Sequence, residues 1–152
     1  MREDKSPKRF DLEERTFAFA KRVREFAKRL SKTIGNVEDS RQLIRSSGSV
    51  GGNYIEANES LSKKDFILRI KICRKEAKES RYWLRLIEAT DETIAAERDL
   101  LVQEAQELMS IFGAIVRKSQ RWNSIIRFSE IASNFEIRIY VPLSVEIKAA
   151  LQ

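Results

Sequence analysis

The residues of this chain best able to do acid–base or nucleophilic chemistry are three carboxylates, Glu97, Glu104 and Glu107, and one thiol, Cys73. An acid–base pair needs two groups whose surroundings drive their pKa values apart. Nothing near these glutamates does so, and a solvated helix face is the preferred reading. The chain contains no histidine. That excludes Ser-His-Asp triads, Cys-His pairs, His-ligated zinc and the Glu-x-x-His motifs of di-iron bundles. A single cysteine cannot build a thiolate zinc site, and Cys73 falls on an apolar row with no base to activate it. It reads as a buried, inert thiol. The expectation is a protein that is not an enzyme, with no cofactor and no metal site.

A second chemical possibility is the run "IRSSGSVGGNYIEANES", Ile44 to Ser60, which holds Gly48, Gly51 and Gly52. A Walker loop requires a Lys after its last glycine, and none follows Gly52. A dinucleotide fingerprint requires a preceding strand and Gly-x-Gly-x-x-Gly, and both are missing. A hairpin would need flanking alternation, whereas "SRQLIRSS" and "NYIEAN" read as helix. Three interior glycines cost a helix about 3 kcal/mol relative to alanine. Close approach of a neighbour offsets such a cost. Ser47, Gly48, Gly51 and Gly52 stand at three-and-four spacing, so a helix backbone or the ring of Trp83, Tyr82 or Phe112 can come near. The run is expected to be a packing seam.

The third possibility is electrostatic. Lys71, Arg74, Lys78, Arg81 and Arg85 recur every three or four residues and line one side of a helix. Residues 62–89 hold nine basic and four acidic side chains, a surplus of five, against +6 for the whole chain of 152 residues. A stripe of this kind can track phosphates or line a pore. The competing reading is a solvated face neutralised by Glu76, Glu79 and Glu88 at helical spacing. A sequence pI near 9.6 favours polyanion partners such as RNA without requiring them.

Four amphipathic patterns must position these residues. The first starts at Asp11, a plausible N-cap with Glu14 three residues on. It carries Phe19, Val23, Phe26 and Leu30 on one face, and Gly35 stands where a left-handed cap is wanted. Asn36 is the expected cap of the second, with Asp39 in its first turn and a row of Leu43, Ser47, Val50, Tyr54 and Ala57. Ser62 caps the third, Asp65 answers it, and Leu61 and Phe66 are placed as a hydrophobic staple. Its row is Phe66, Ile70, Cys73, Ala77, Ser80, Leu84 and Ile87. Thr90 or Asp91 opens the fourth, with Ile94, Leu101, Ala105, Leu108, Phe112 and Ile115 inside and Arg117 and Lys118 near its end. Links this short make successive helices antiparallel, so the fold expected is all-α, an up-down four-helix bundle over 1–120.

Residues 121–152 read as a C-terminal extension. "NFEIRIYVP" alternates Phe135, Ile137, Ile139 and Val141 with polar neighbours and is closed by Pro142, the pattern of a half-buried strand. A lone strand needs a partner from elsewhere, so subunit contact and a loosely ordered tail both stay open. The charged N-terminus, the short apolar runs and the single cysteine favour a cytoplasmic chain with no membrane segment.

The middle of the chain resembles the four helix bundle proteins, also called 23S rRNA intervening-sequence proteins. The resemblance rests on Gln42, Leu43, Arg45 and Ser46, then Val50, Asn53 and Glu56, the cap Ser62, Asp65 and Phe66, and Glu76, Glu79 and Leu84. The opening "FDLEERTFAFA" matches too, so residues 10–119 are covered. The resemblance implies a bundle that assembles as a ring, a homopentamer, with RNA or a protein as partner. A related accessory protein of diversity-generating retroelements is a basic pentameric barrel that engages reverse transcriptase and nucleic acid. No enzymatic activity goes with the family. At the matching positions it implies close helix contact for the serines and glycines of 46–52, and hydrogen bonding to a neighbouring helix or subunit for Asn53 and Glu56.

Overall fold

A computed structural model describes residues 11–132, with side chains through residue 121. Four helices follow in order: α1 Leu12–Lys28, α2 Ile34–Asn58, α3 Lys63–Leu86 and α4 Glu92–Ala132. Each rests on a start signal that satisfies orphan amides of its first turn. Asp11 accepts from the amides of Glu13 (3.0 Å) and Glu14 (3.3 Å), Ser62 from Asp65 (3.1 Å) and Asp91 from Ile94 (2.9 Å). The four apolar rows meet in one core. Phe19, Val23 and Phe26 of α1, Leu43 and Val50 of α2, all seven expected residues of the third row and all six of the fourth are buried. The architecture is the expected all-α bundle. Packing is most extensive between α2 and α3, then α3 and α4, with α1 laid mainly on α2.

The start of α2 departs from expectation. Thr33 is its cap, accepting from the amide of Asn36 at 3.1 Å. α1 ends at Lys28, with Arg29 as its cap in right-handed conformation. Gly35 therefore lies inside the first turn of α2, not at a left-handed C-cap, and no described glycine has positive φ. Asp39 falls in the second turn rather than the first. Thr33 wins as cap because it lets Asn36 turn inward, where burial rewards its four hydrogen bonds. The staple ahead of α3 is not formed either: Phe66 is buried, whereas Leu61 is 90% exposed.

At the other end α4 runs unbroken to Ala132, so the boundary drawn at residue 120 falls within a helix. Arg117 and Lys118 sit several turns before its end and do not face its C-terminal dipole. The strand expected over 135–141 lies outside the described residues.

The seam between α2 and α3 is built from small polar residues. Ser80 Oγ donates to Ser46 Oγ (2.9 Å) and lies 2.9 Å from the Glu76 carbonyl, while Ser46 and Ser47 Oγ donate to the carbonyls of Leu43 and Ile44, both at 3.3 Å. Buried hydroxyls satisfied in this way let two backbones approach without stranding a polar group. The glycines divide. A Cβ on Gly51 would meet Thr16 Oγ1 of α1 at 3.3 Å, one on Gly48 would meet Arg24 Nη2 at 3.3 Å, and one on Gly52 would meet nothing within 4 Å. Gly51, against Thr16, and Gly48, against the flexible end of Arg24, thus both lie close to α1, and neither Gly52 nor an aromatic ring takes part. Phe112 instead packs on Tyr54, ring centroids 5.9 Å apart, and Tyr82 on Trp83 at 5.0 Å. Gly52→Ala is expected to stabilise the fold by about 0.5–1 kcal/mol through helix propensity. Gly51→Ala gains less, because its methyl crowds Thr16. Denaturant midpoints of the two variants check the contrast.

Candidate functional site

The chemistry that a catalytic reading would need is tied up in structure. Arg15 of α1 donates through Nε and Nη2 to the two oxygens of Glu104 (2.7 and 2.9 Å) and through Nη2 to Glu107 (2.5 Å). Arg22 reaches Glu97 at 3.2 Å. The three glutamates of α4 therefore tie α1 to α4, two helices that pack on each other much less than the other neighbouring pairs do. Hydrogen bonding from Arg15 lowers the Glu107 carboxyl below its ordinary range, the opposite of what a general acid requires. The Arg15 guanidinium is in turn pushed up, chiefly by its bond to Glu104.

Cys73 sits fully buried in the α3 row, and desolvation pushes its thiol up to about 12. The thiolate is the reactive form, so a rise from 9.0 to about 12 leaves roughly a thousandfold less of it at neutral pH. Alkylation is expected only as fast as the protein unfolds, and denaturant should restore the rate of a free thiol. Folding favours the protonated thiol, so this stability is complete below the unfolded value and is lost between pH 9 and about 12. Among the described residues no three acidic or cysteine side chains gather in a group that could hold a metal.

The seam's polar positions lead to α3. Arg69 bonds Asn53 Oδ1 through Nη1 (3.3 Å) and ion-pairs with Glu56 (2.6 Å) and, more loosely, Asp65 (3.8 Å). Asn53 and Glu56 thus serve the junction of α2 with α3 inside the chain.

The basic stripe is assembled as its spacing requires. Lys71, Arg74, Lys78 and Arg85 are exposed and Arg81 is half-buried, all on α3. Two of the three carboxylates expected to neutralise it, Glu76 and Glu79, are engaged elsewhere. Arg45 of α2 pairs with Glu79 and lies 3.9 Å from Glu76, both acids standing on the side of α3 turned away from the stripe. Trp83 Nε1 adds a bond to Glu79 at 3.3 Å. Among the described residues none of the five stripe cations has a carboxylate partner within 4.0 Å. Their field is therefore directed at solvent, where a polyanion would meet it.

The stripe borders α4. Arg81 donates to Gln106 Oε1, and Arg74 stands beside Gly113. Seven residues forward on α3 match seven back on α4, two turns of antiparallel packing. This register brings in Arg117, which sequence spacing alone did not attach to the stripe. Arg117 shares a recess with Arg74, Gln106, Met109, Ser110 and Gly113. The signal that could have found it was the helix-to-helix register, not the spacing along either helix.

The family model described as "23S rRNA-intervening sequence protein" matches residues 8–114. A crystal structure of a protein of unknown function from the S23 ribosomal protein family of Bacteroides thetaiotaomicron aligns with TM-score 0.60 and 26% identity, over 70% of this chain and 98% of that one. Comparison with the curated proteins gives no match.

Proposed function

As the chain belongs to the 23S rRNA-intervening sequence protein family, we propose that it is a non-enzymatic helical bundle whose α3 stripe, continued by Arg117, contacts the phosphates of RNA. The observation that carries this reading is the set of cations Lys71, Arg74, Lys78, Arg81 and Arg85, which among the described residues have no carboxylate partner while Glu76 and Glu79 are taken by Arg45. Cations left unpaired on one side of a helix release counterions when they meet phosphates, which gives affinity without sequence preference. The family's description, with its reference to ribosomal RNA, makes RNA the polyanion of choice.

In this reading the bundle works as a homopentameric ring in the cytoplasm. Apolar side chains at the surface support assembly: Phe17 is 60%, Ile34 87% and Leu61 90% exposed. The same residues also favour the second reading, a protein-interaction module whose charges serve solubility. Titration of a short single-stranded RNA at several salt concentrations separates the two. RNA contact gives a linear fall of log affinity with log salt, with a slope of about −0.7 for each phosphate met. No binding at low salt leaves the interaction module standing. Light scattering tests the ring, and a monomer removes it.

A further inference from the structure

Two cations without a carboxylate partner among the described residues, Arg74 and Arg117, lie over Gly113. This residue is buried in α4. A Cβ built on it would lie 3.3 Å from Arg117 Nη1, 3.5 Å from Arg74 Nε and 3.6 Å from Arg74 Cζ. Two guanidinium groups, one from each helix, therefore converge on a single point, their nearest nitrogens no farther apart than twice 3.5 Å. Like charges brought together without a counter-charge repel. Among the described residues no carboxylate is within ion-pairing distance of either.

The walls of the recess, about 170 Å³ in volume, are as one-sided as its charges. Gln106 Oε1 is occupied by Arg81, which leaves its amide NH₂ as a donor. Ser110 Oγ donates to the Gln106 carbonyl at 3.0 Å. Met109 closes one side with an apolar surface. A site with two cationic forks, a spare amide donor and no acid selects an anion with several acceptor oxygens. Glycine is explicable on the same geometry: any side chain at 113 would stand between the forks. This accounts for a residue of poor helix propensity deep within a long helix.

We infer that the Arg74–Arg117 basin over Gly113 is a binding site for a single phosphate group. The inference rests on the stripe as a phosphate-tracking face and names the place where that face closes around one phosphoryl group. Arg117 lies beyond the matched region, which ends at residue 114, so the basin joins a helix of the family core to this chain's own continuation of α4.

Two probes applied to the full chain distinguish the basin from the stripe. The first is inorganic phosphate at constant ionic strength, read by NMR at the Nε–H groups of Arg74 and Arg117. The second is a single-stranded RNA oligonucleotide titrated against salt. Phosphate should shift both resonances saturably. Arg117→Gln removes one charge-assisted fork and should weaken phosphate binding about 10-fold or more. The same change should reduce the RNA salt slope by about 0.7. Arg117→Lys keeps the charge but not the fork, so it should restore the slope and not the phosphate affinity. Gly113→Ala, if folded by circular dichroism, should act like Arg117→Gln on phosphate while leaving Lys78 and Arg85 untouched.

Resonances unmoved by phosphate, or equal phosphate binding by wild type and Arg117→Gln, overturn the basin even if RNA binds with a steep slope. That outcome leaves the stripe reading in place. Saturable phosphate binding without any RNA binding does the reverse: the basin stands as a site for free phosphate, and the strand reading falls.

Discussion

The triple variant Arg74→Glu, Lys78→Glu and Arg81→Glu is expected to lose RNA affinity by about two to three orders of magnitude at 50 mM salt. The figure follows from counterion release. Three phosphate contacts on a single strand contribute a slope of about −2, and a 20-fold drop in salt below 1 M raises their share of affinity by about 20 squared. Reversing charge adds repulsion to that loss. The log–log salt slope should flatten by about 2 in the same experiment. Folding is not the cause of the loss, because Arg74 and Lys78 are exposed and Arg81 gives up only its bond to Gln106. Unchanged helicity and a small shift in denaturant midpoint verify this. Reversal of Lys28, Glu25's partner on α1 (2.9 Å), serves as the control: it changes net charge and leaves the stripe alone. If that control matches the triple variant residue for residue, the binding is diffuse and the stripe has no special role.

The stripe shows what sequence spacing can and cannot carry. A helix converts three-and-four spacing into a shared face, so Lys71, Arg74, Lys78, Arg81 and Arg85 were legible along α3 without a structure. The same rule made the α3 and α4 core rows readable, because every member had to point one way to be buried. Which carboxylates neutralise a charged face is a different matter. Glu76 and Glu79 stand one or two residues from Arg74, Lys78 and Arg81 rather than three or four, so they face away from the stripe, and Arg45 takes them from the side of α2. An ion pair within a helix and one between helices differ little in energy, so tertiary placement decides between them. Arg117 belongs to the same class: it reached Arg74 through helix register, which no single-helix pattern contains. The glycines were legible only in part. Small residues permit close approach but do not command it, and Gly51 meets Thr16 while Gly52 faces open space. Caps proved ambiguous where two capping residues stand close together. Thr33 and Asn36 are both good N-caps, and the choice was made by a partner 52 residues away.

That partner makes Asn36 the polar residue whose loss should cost the fold most. Asn36 is 2% exposed. Its Nδ2 lies 3.2 Å from the Ser31 carbonyl, 3.0 Å from Ser31 Oγ and 3.1 Å from the Glu88 carbonyl, and its Oδ1 accepts from the Glu88 amide at 2.9 Å. One side chain thus ties the α1–α2 link to the α3–α4 link, the two connections at the same end of an up-down bundle. Asn36→Ala removes both arms of the tie and strands backbone groups on each side, a loss of about 2–4 kcal/mol. For a chain of this size that corresponds to roughly 10 °C in Tm, read by thermal unfolding. Asn36→Asp separates the tie from simple volume loss. It keeps the acceptor for the Glu88 amide but turns a carboxylate oxygen toward the Glu88 and Ser31 carbonyls. Burial and those carbonyls favour the protonated carboxyl, which can donate as the amide did. Its folded pKa is therefore raised above the unfolded one. Stability lost at neutral pH should return as pH falls toward the ordinary aspartate range, opposite to the Glu107 contribution, which fades on acidification. An Asn36→Asp variant equally destabilised at pH 5 and pH 8 would mean that the donor to Glu88 contributes nothing. In that case packing between the two links, not the amide, holds this end of the bundle closed.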